Sequence, residues 1–240
     1  MPGQQDDGNR FASVASGRTG LAGRRGHPPS DYDARVVTVV AHPLAEHLLT
    51  QLRDRDTPPP VFRTLAKRLA LAITFEAIRD LPTDEVKIET PLEPTTGRIL
   101  AETLVAVPIL RAGLGMLEAV TELFPEVAVG YIGLERDEAS LLPQSYYRKL
   151  PEVAGRHVLV LDPMLATGGS GAAACAAVKE GGPASVRFVC VVSAPEGIGK
   201  MQVEHPDVPI FTAAVDRQLN DRGYILPGLG DFGDRLFGTE

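Results

Sequence analysis

The chain has 240 residues, with 24 Lys and Arg against 31 Asp and Glu, a formal charge of −7. That length suffices for one large α/β domain or two small ones, with a sizeable core, and apolar runs such as residues 105–110 are far shorter than the ~20 residues that a membrane span needs. The acidity argues against a general nucleic-acid binder, whose affinity comes mostly from Lys and Arg on phosphates, yet it permits a small basic pocket for a phosphorylated ligand.

Residues 1–33 contain six glycines, and their four Arg and four Asp cancel. No apolar period persists there, so a disordered, neutral tail is expected. It lacks the continuous apolar stretch of a secretory signal, which points to a cytoplasmic protein whose one domain spans residues 34–240. Two cysteines, Cys175 and Cys190, are too few for a disulfide framework; both sit in apolar stretches and read as buried small side chains in a reduced compartment. His42 and His47 are the closest histidine pair, and neither a Cys/His cluster nor the HExxH spacing occurs, so a protein-built zinc site is not expected.

The ordered chain begins with a β-branched run at residues 35–41, broken by His42-Pro43 and followed by a helix over 44–53. Asp56-Thr57-Pro58-Pro59-Pro60 is a loop and a helix start. Phe62, Leu65, Ala66, Leu69, Ile73 and Ala77 then recur at helical spacing as one core stripe. A short strand at 86–89 precedes a proline-rich connection. Apolar runs follow at Leu104–Leu110, 127–134, His157–Leu161, 186–192 and 209–213, with helices expected at 113–123, Gly169–Lys179 and 196–203. Alternation of helices with near-continuous apolar strands predicts a parallel sheet covered on both faces. Ligands of such sheets bind at the carboxyl ends of the strands.

The strand-end loops carry the functional signal. After His157–Leu161 comes Asp162-Pro163-Met164-Leu165-Ala166-Thr167-Gly168-Gly169-Ser170. Glycines let backbone N–H groups turn toward an anion, and the helix start adds partial positive charge. Thr167 and Ser170 offer hydroxyls, and Asp162 offers an acceptor for a diol such as ribose 2′- and 3′-OH. The loop suits a sugar phosphate. It is neither a Walker loop nor a dinucleotide fingerprint.

This segment resembles the ribose-5-phosphate-binding motif of the type I phosphoribosyltransferases, with Pro163 where a second adjacent acid is usual. Residues 107–116, 194–198 and 219–231 resemble the uracil-specific branch of that family, so the likeness covers about residues 34–240. It implies the type I phosphoribosyltransferase-like fold: α/β, a parallel-centred sheet with helices on both faces, plus a small hood and arm. It implies a pentosyltransferase that joins uracil to 5-phosphoribosyl 1-diphosphate, giving UMP and diphosphate in pyrimidine salvage, with Mg2+ as cofactor. Homodimers or larger assemblies and, in some members, activation by GTP also follow from the likeness; no segment of this chain yields a GTP site from its residues. Nucleic acid and membrane are not expected partners.

The same resemblance distributes the roles. Arg111, Asp162 and Asp231 would be catalytic. The phosphoribosyl diphosphate would lie on Arg111, Arg136, Asp162, Pro163, Met164, Leu165, Ala166, Thr167, Gly168, Gly169, Ser170 and Asp231. Uracil would meet Ile225, Gly230, Asp231 and Phe232, mainly through backbone; Phe232 stands where alanine is usual. No metal ligand is directly assigned. The peptide near Arg111 would be cis. Its own position, ending the run Leu104–Leu110, makes Arg111 a diphosphate binder through its two-pronged guanidinium. Arg136 reads equally as a solvated loop charge among Glu135, Asp137 and Glu138. Residues 142–151, with a proline near each end, read as a flexible arm over the site or as an exposed hairpin or subunit contact. His157 starts its strand at the end away from the ligand and reads as structural. No general base stands out. Two other readings remain: a related transferase for another base, which the 219–231 segment disfavours, and a regulator of pyrimidine-operon RNA, which the net charge disfavours.

Overall fold

Successive side chains of the strand His157–Leu161 enter different cores: Val158 and Val160 pack on one side of a sheet, Leu159 and Leu161 on the other. A strand apolar at every position has no face for water, so the sheet must be covered twice. The computed structural model describes residues 36–136 and 143–239; the 1–33 tail and residues 137–142 lie outside the described residues. The first half of the chain runs β1 (Val37–Val39), α1 (Pro43–Arg53), α2 (Pro59–Ala77), β2 (Thr83–Glu89), β3 (Pro94–Leu100), β4 (Leu104–Leu110), α3 (Leu114–Leu123), β5 (Ala128–Val129), β6 (Tyr131–Arg136) and β7 (Pro143–Lys149). The second half runs β8 (His157–Leu161), β9 (Met164–Leu165), α4 (Gly169–Lys179), β10 (Ser185–Val189), β11 (Val192–Ser193), α5 (Pro195–Glu204), β12 (Ile210–Thr212), β13 (Ala214–Val215), β14 (Gln218–Leu219), β15 (Ile225–Leu226) and α6 (Phe232–Phe237).

The main sheet has the order β1-β12-β10-β8-β4-β6-β7, with β5 also on β4. Every pair is parallel except β6 with β7. One core packs buried residues of α1, α2, α3 and α6 on the sheet; the other packs those of α4 and α5. Three adjacent strands continue past a break at their carboxyl ends, as β9, β11 and β13 form a second parallel sheet in the order β13-β11-β9. Asp162 and Pro163 are the break between β8 and β9.

The expected parallel α/β architecture is therefore present, with three differences in detail and one alternative given its strand pairing. The proline-rich connection is β3, which pairs antiparallel with β2 over seven residues each. Both strands are exposed at nearly every position, so no apolar period marks them. The run 127–134 divides at Gly130, where a Cβ would lie 2.8 Å from Leu150 Cδ2. The run 186–192 divides between β10 and β11. Residues 143–149 of the expected arm form β7 against β6, which is the hairpin alternative.

Cys175 and Cys190 are buried free thiols, and burial pushes both up to about 12, which leaves them inert at neutral pH. His157, at the amino end of β8, approaches Ser185 Oγ at 2.7 Å and Glu102 Oε2 at 3.0 Å, far along the strand from the ligand-bearing end. No helix among the described residues is long and apolar enough to cross a membrane.

The C-terminal segment is fastened to the first two helices. Arg53, the last residue of α1, donates two hydrogen bonds to the Asp216 carboxylate, at 2.8 and 2.6 Å, and one to Gly228 O at 2.7 Å. Gly228 N–H in turn donates to Asp216 Oδ2 at 2.9 Å. Arg235 reaches Leu52 O, Asp54 O and Leu229 O while stacking over the Phe62 ring. Arg63 donates to Leu236 O at 2.8 Å. Since Asp216 is only 6% exposed, Arg53→Ala strands a buried carboxylate. It is expected to lower the unfolding free energy by about 2–3 kcal/mol, read as a lower urea midpoint. Arg53→Lys should recover only part of that loss, because an ammonium cannot reproduce the fork.

Candidate active site

Close backbone approach shapes the carboxyl edge of the sheet. A Cβ on Gly113 would lie 2.4 Å from Leu161 O, so only glycine lets the turn after β4 press against the end of β8. A Cβ on Gly197 would lie 2.4 Å from Ala166 O and 2.8 Å from Leu165 O. The start of α5 therefore rests directly on the loop between β9 and α4. Gly168 caps α4 in the left-handed region, at φ 78°. Its N-terminus presents Gly169, Ser170 and Gly171, the positions whose N–H groups a helix leaves unpaired. Segments 107–116 and 194–198 thus brace the loop that binds the sugar in the sequence reading.

A cavity of about 380 Å³ opens above this loop. One wall is Asp162, Met164, Leu165, Ala166, Thr167, Gly168, Ser170 and Gly171. The opposite wall is the hood, made of the β14–β15 hairpin and the chain after it: Arg222, Gly223, Tyr224, Ile225, Gly230, Asp231, Phe232 and Gly233. Ala112, from the turn after β4, completes the lining. Two segments some sixty residues apart in sequence, each expected to bind part of one substrate pair, therefore face each other.

Asp162 receives Met164 N–H on Oδ1 at a long 3.4 Å. Burial pushes its carboxyl up to about 7, with that backbone N–H pulling weakly the other way. Asp231 caps α6 by accepting Asp234 N–H on Oδ1 at 3.0 Å. Its Oδ2 is not part of that cap.

Phe232 is 1% exposed, and its ring meets Phe62 edge-on at a centroid distance of 5.1 Å. A Cβ on Gly115 would lie 2.9 Å from the same ring. The ring fills the core beneath α2 and α3 while the residue still contributes to the cavity wall, so the larger side chain leaves the cavity open. The Gly230 backbone at φ 81° and a cis Leu226–Pro227 bond shape the chain that leads to it.

Arg111 follows a cis Leu110–Arg111 peptide, as the resemblance implies. Its side chain is 61% exposed; the guanidinium lies 3.6 Å from Asp234 Oδ1 and 5.9 Å from the centroid of Phe237. It is beside the cavity rather than in its lining, as are Pro163 and Gly169. Arg136 is the last residue of β6, and its side chain is outside what the structure describes. The sequence reading missed Ala112, Gly171, Arg222, Gly223, Tyr224 and Gly233. The Asn220-Asp221-Arg222-Gly223 run is a turn signal that locates a hairpin tip, but such a signal does not say which way the tip faces.

The sequence model for the family described as uracil phosphoribosyltransferase matches residues 39–239. The uracil phosphoribosyltransferase of Dictyoglomus turgidum is 53% identical over 207 residues, covering 85% of this chain and 100% of that protein. The one from Caulobacter vibrioides is 53% identical over 205 residues, covering 85% and 98%. The solved structure of the AQ2163 protein from Aquifex aeolicus aligns with a TM-score of 0.81 at 38% identity, covering 85% of this chain and 99% of that one.

The raised pKa of Asp162 has a measurable sign. Between its ordinary value of 3.8 and about 7 the unfolded chain has released this proton and the folded chain has kept it. Stability from this group therefore falls as pH rises through that window. Asp162→Asn removes the penalty. Its urea midpoint is expected to exceed that of the parent at pH 8 and to match it near pH 4. A variant equally or less stable at pH 8 would show that the carboxylate is compensated in the ligand-free protein.

Proposed function

The chain belongs to the uracil phosphoribosyltransferase family, and from that premise we propose how its residues divide the work. The reaction transfers the phosphoribosyl group of 5-phosphoribosyl 1-diphosphate to N1 of uracil, giving UMP and diphosphate. The observation that carries the assignment is the meeting of loop 162–170 with segment 225–232 in one cavity.

In this reading, the 5-phosphate sits on the N–H groups and hydroxyls of Thr167, Gly168, Gly169 and Ser170 at the start of α4. Met164, Leu165 and Ala166 line the sugar, Pro163 sets the bend, and the Asp162 carboxylate accepts from the ribose 2′- and 3′-hydroxyls. Arg111 and Arg136 receive the diphosphate. Uracil presents two carbonyl acceptors and an N3–H donor. The backbone of Ile225, Gly230 and Phe232 reads that pattern, and cytosine presents the wrong one. Displacement at the anomeric carbon builds positive charge on the ribose and negative charge on the leaving group. Holding both partners in line and neutralising the diphosphate therefore accounts for much of the catalysis.

The donor set fits magnesium. Asp162 and Asp231 supply hard carboxylate oxygens, and no group of three or more His, Cys, Asp or Glu forms a metal cage among the described residues. Mg2+ often keeps water and phosphate oxygens as ligands and needs few from protein. Asp162 and Asp231 would hold it from the ribose and diphosphate sides. When bound, it neutralises charge on the departing diphosphate. The domain of this activity is residues 34–240, a boundary supported by the family match starting at residue 39. Assembly into dimers or larger oligomers and a response to GTP belong to the same proposal through the family likeness alone.

Mixing the protein with magnesium, 5-phosphoribosyl 1-diphosphate and single free bases should yield UMP and diphosphate from uracil and no nucleotide from cytosine. No UMP at any protein concentration would overturn the reading. Arg111→Ala should cut kcat/KM for the phosphoribosyl donor by about tenfold or more, the worth of one charge-assisted contact, with the KM for uracil little changed. A chain lacking residues 1–33 should keep both constants.

A further inference from the structure

The hood carries a cation that the roles above leave unused. β14 and β15 are antiparallel two-residue strands joined by a tight turn. Asn220 builds that turn. Its side-chain oxygen accepts from Arg222 N–H at 3.0 Å and Tyr224 N–H at 2.9 Å, while its own N–H donates to Tyr224 O at 2.8 Å. Gly223 sits at φ 79° and its N–H donates to Asn220 O. The turn is thus fixed from within, and it presents Arg222 at the cavity wall.

Two features make this arginine unusual. It is the only basic side chain among the described residues that line the cavity, whose other charged members are the acids Asp162 and Asp231. Its guanidinium also makes no hydrogen bond or ion pair with any described residue; the bond from Arg222 to Asn220 is made by the backbone N–H. An exposed, unpaired guanidinium on the wall of a cavity that is otherwise acidic suits an anionic ligand.

The position of the hairpin says which part of the ligand. At its base, Leu219 N–H donates to Glu196 Oε1 at 2.9 Å. Glu196 lies in the first turn of α5, and the next residue, Gly197, rests on the carbonyls of Leu165 and Ala166. The hairpin is therefore anchored to the phosphate loop side of the site, whereas Arg111, after β4, is held against α6 and is not part of the cavity lining. We infer that Arg222 holds the 5-phosphate of the sugar substrate from above, opposite the N-terminus of α4. The same hairpin then supplies a phosphate clamp at its tip and base-reading backbone at Ile225, so that both ends of the product nucleotide touch one element.

This inference rests on the phosphoribosyl-transfer reading, and direct binding separates the failure of one from the failure of the other. Ribose 5-phosphate carries the 5-phosphate without a diphosphate, and inorganic diphosphate with magnesium carries the reverse. Titration calorimetry of the full chain with each probe is the measurement, together with product inhibition by UMP. Arg222→Gln should weaken ribose 5-phosphate and UMP by about tenfold. Diphosphate binding and the KM for uracil should be unchanged, and Arg222→Lys should fall between parent and Gln. Because the side chain is exposed and unpaired, the urea midpoint should stay at the parent value. Weaker diphosphate with unaltered ribose 5-phosphate would assign the cation to the leaving group and overturn the inference. Unaltered binding of both probes would overturn it as well. If the parent bound ribose 5-phosphate but made no UMP, the reaction assignment alone would fall.

Discussion

Absent side-chain carbon at Gly113 and Gly197 is the constraint on which the site depends. Each glycine allows a neighbouring segment to approach within what would be 2.4 Å of a backbone oxygen, at Leu161 and Ala166 respectively. The first contact sets the turn bearing Arg111 against the end of β8. The second seats α5 under the loop 162–170, and through Glu196 it sets the height of the hood. Any other residue at either position would push backbone against backbone, which does not yield as a flexible side chain does. The first half of the loop is itself held by hydrogen bonds to the neighbouring strand, from Val191, Val192 and Ala194 N–H to Pro163 and Leu165 O, and the two glycine contacts press on it from either end.

Charge is arranged on a different scale from composition. The chain is acidic overall, and the cavity floor holds a carboxyl that burial drives toward the neutral form. A ligand rich in phosphate enters such a site only if fixed dipoles and a few cations oppose that background. The helix start at Gly169 supplies the dipoles, and the arginines are distributed at the rim and the hood instead of in the floor. This distribution leaves the guanidinium groups of Arg111 and Arg222 hydrated and apart from the buried carboxyl of the floor.

The sequence was informative wherever burial or backbone conformation dictates residue type. β4, β8 and α4 have the same bounds in the apolar pattern as in the structure, because both faces of those strands and one face of that helix are in core. Of the hairpin of β2 and β3 the sequence marked only the end of β2, at 86–89; β3 escaped because its residues are exposed at nearly every position. The break at Gly130 depends on Leu150, which is distant in sequence. The motif loops located two segments that line one cavity, but not side-chain direction. Phe232 turns away from the cavity because Phe62 on α2 and Gly115 on α3 leave room for its ring, and Arg111 lies along α6 because Asp234 and Phe237 are there. Those partners are fixed only when the helices are assembled.

The fastening of α6 to α1 and α2 has a bearing on synthesis. Ribosomes release a chain from its N-terminus onward, so residues 216–236 emerge after the rest of the fold. The main sheet, the loop 162–170 and both helical layers up to α5 precede residue 216, so they can assemble on the ribosome. Phe62 cannot be covered, nor Arg53 paired, until residues 216–236 emerge. The hood wall of the cavity is among those residues. A nascent or prematurely ended chain would have the loop wall of the cavity without the hood wall, and it would also expose the aromatic side chain that Phe232 should cover. Completion of the cavity and concealment of the core thus depend on one segment, so quality control that recognises exposed core also recognises a chain with an unfinished cavity.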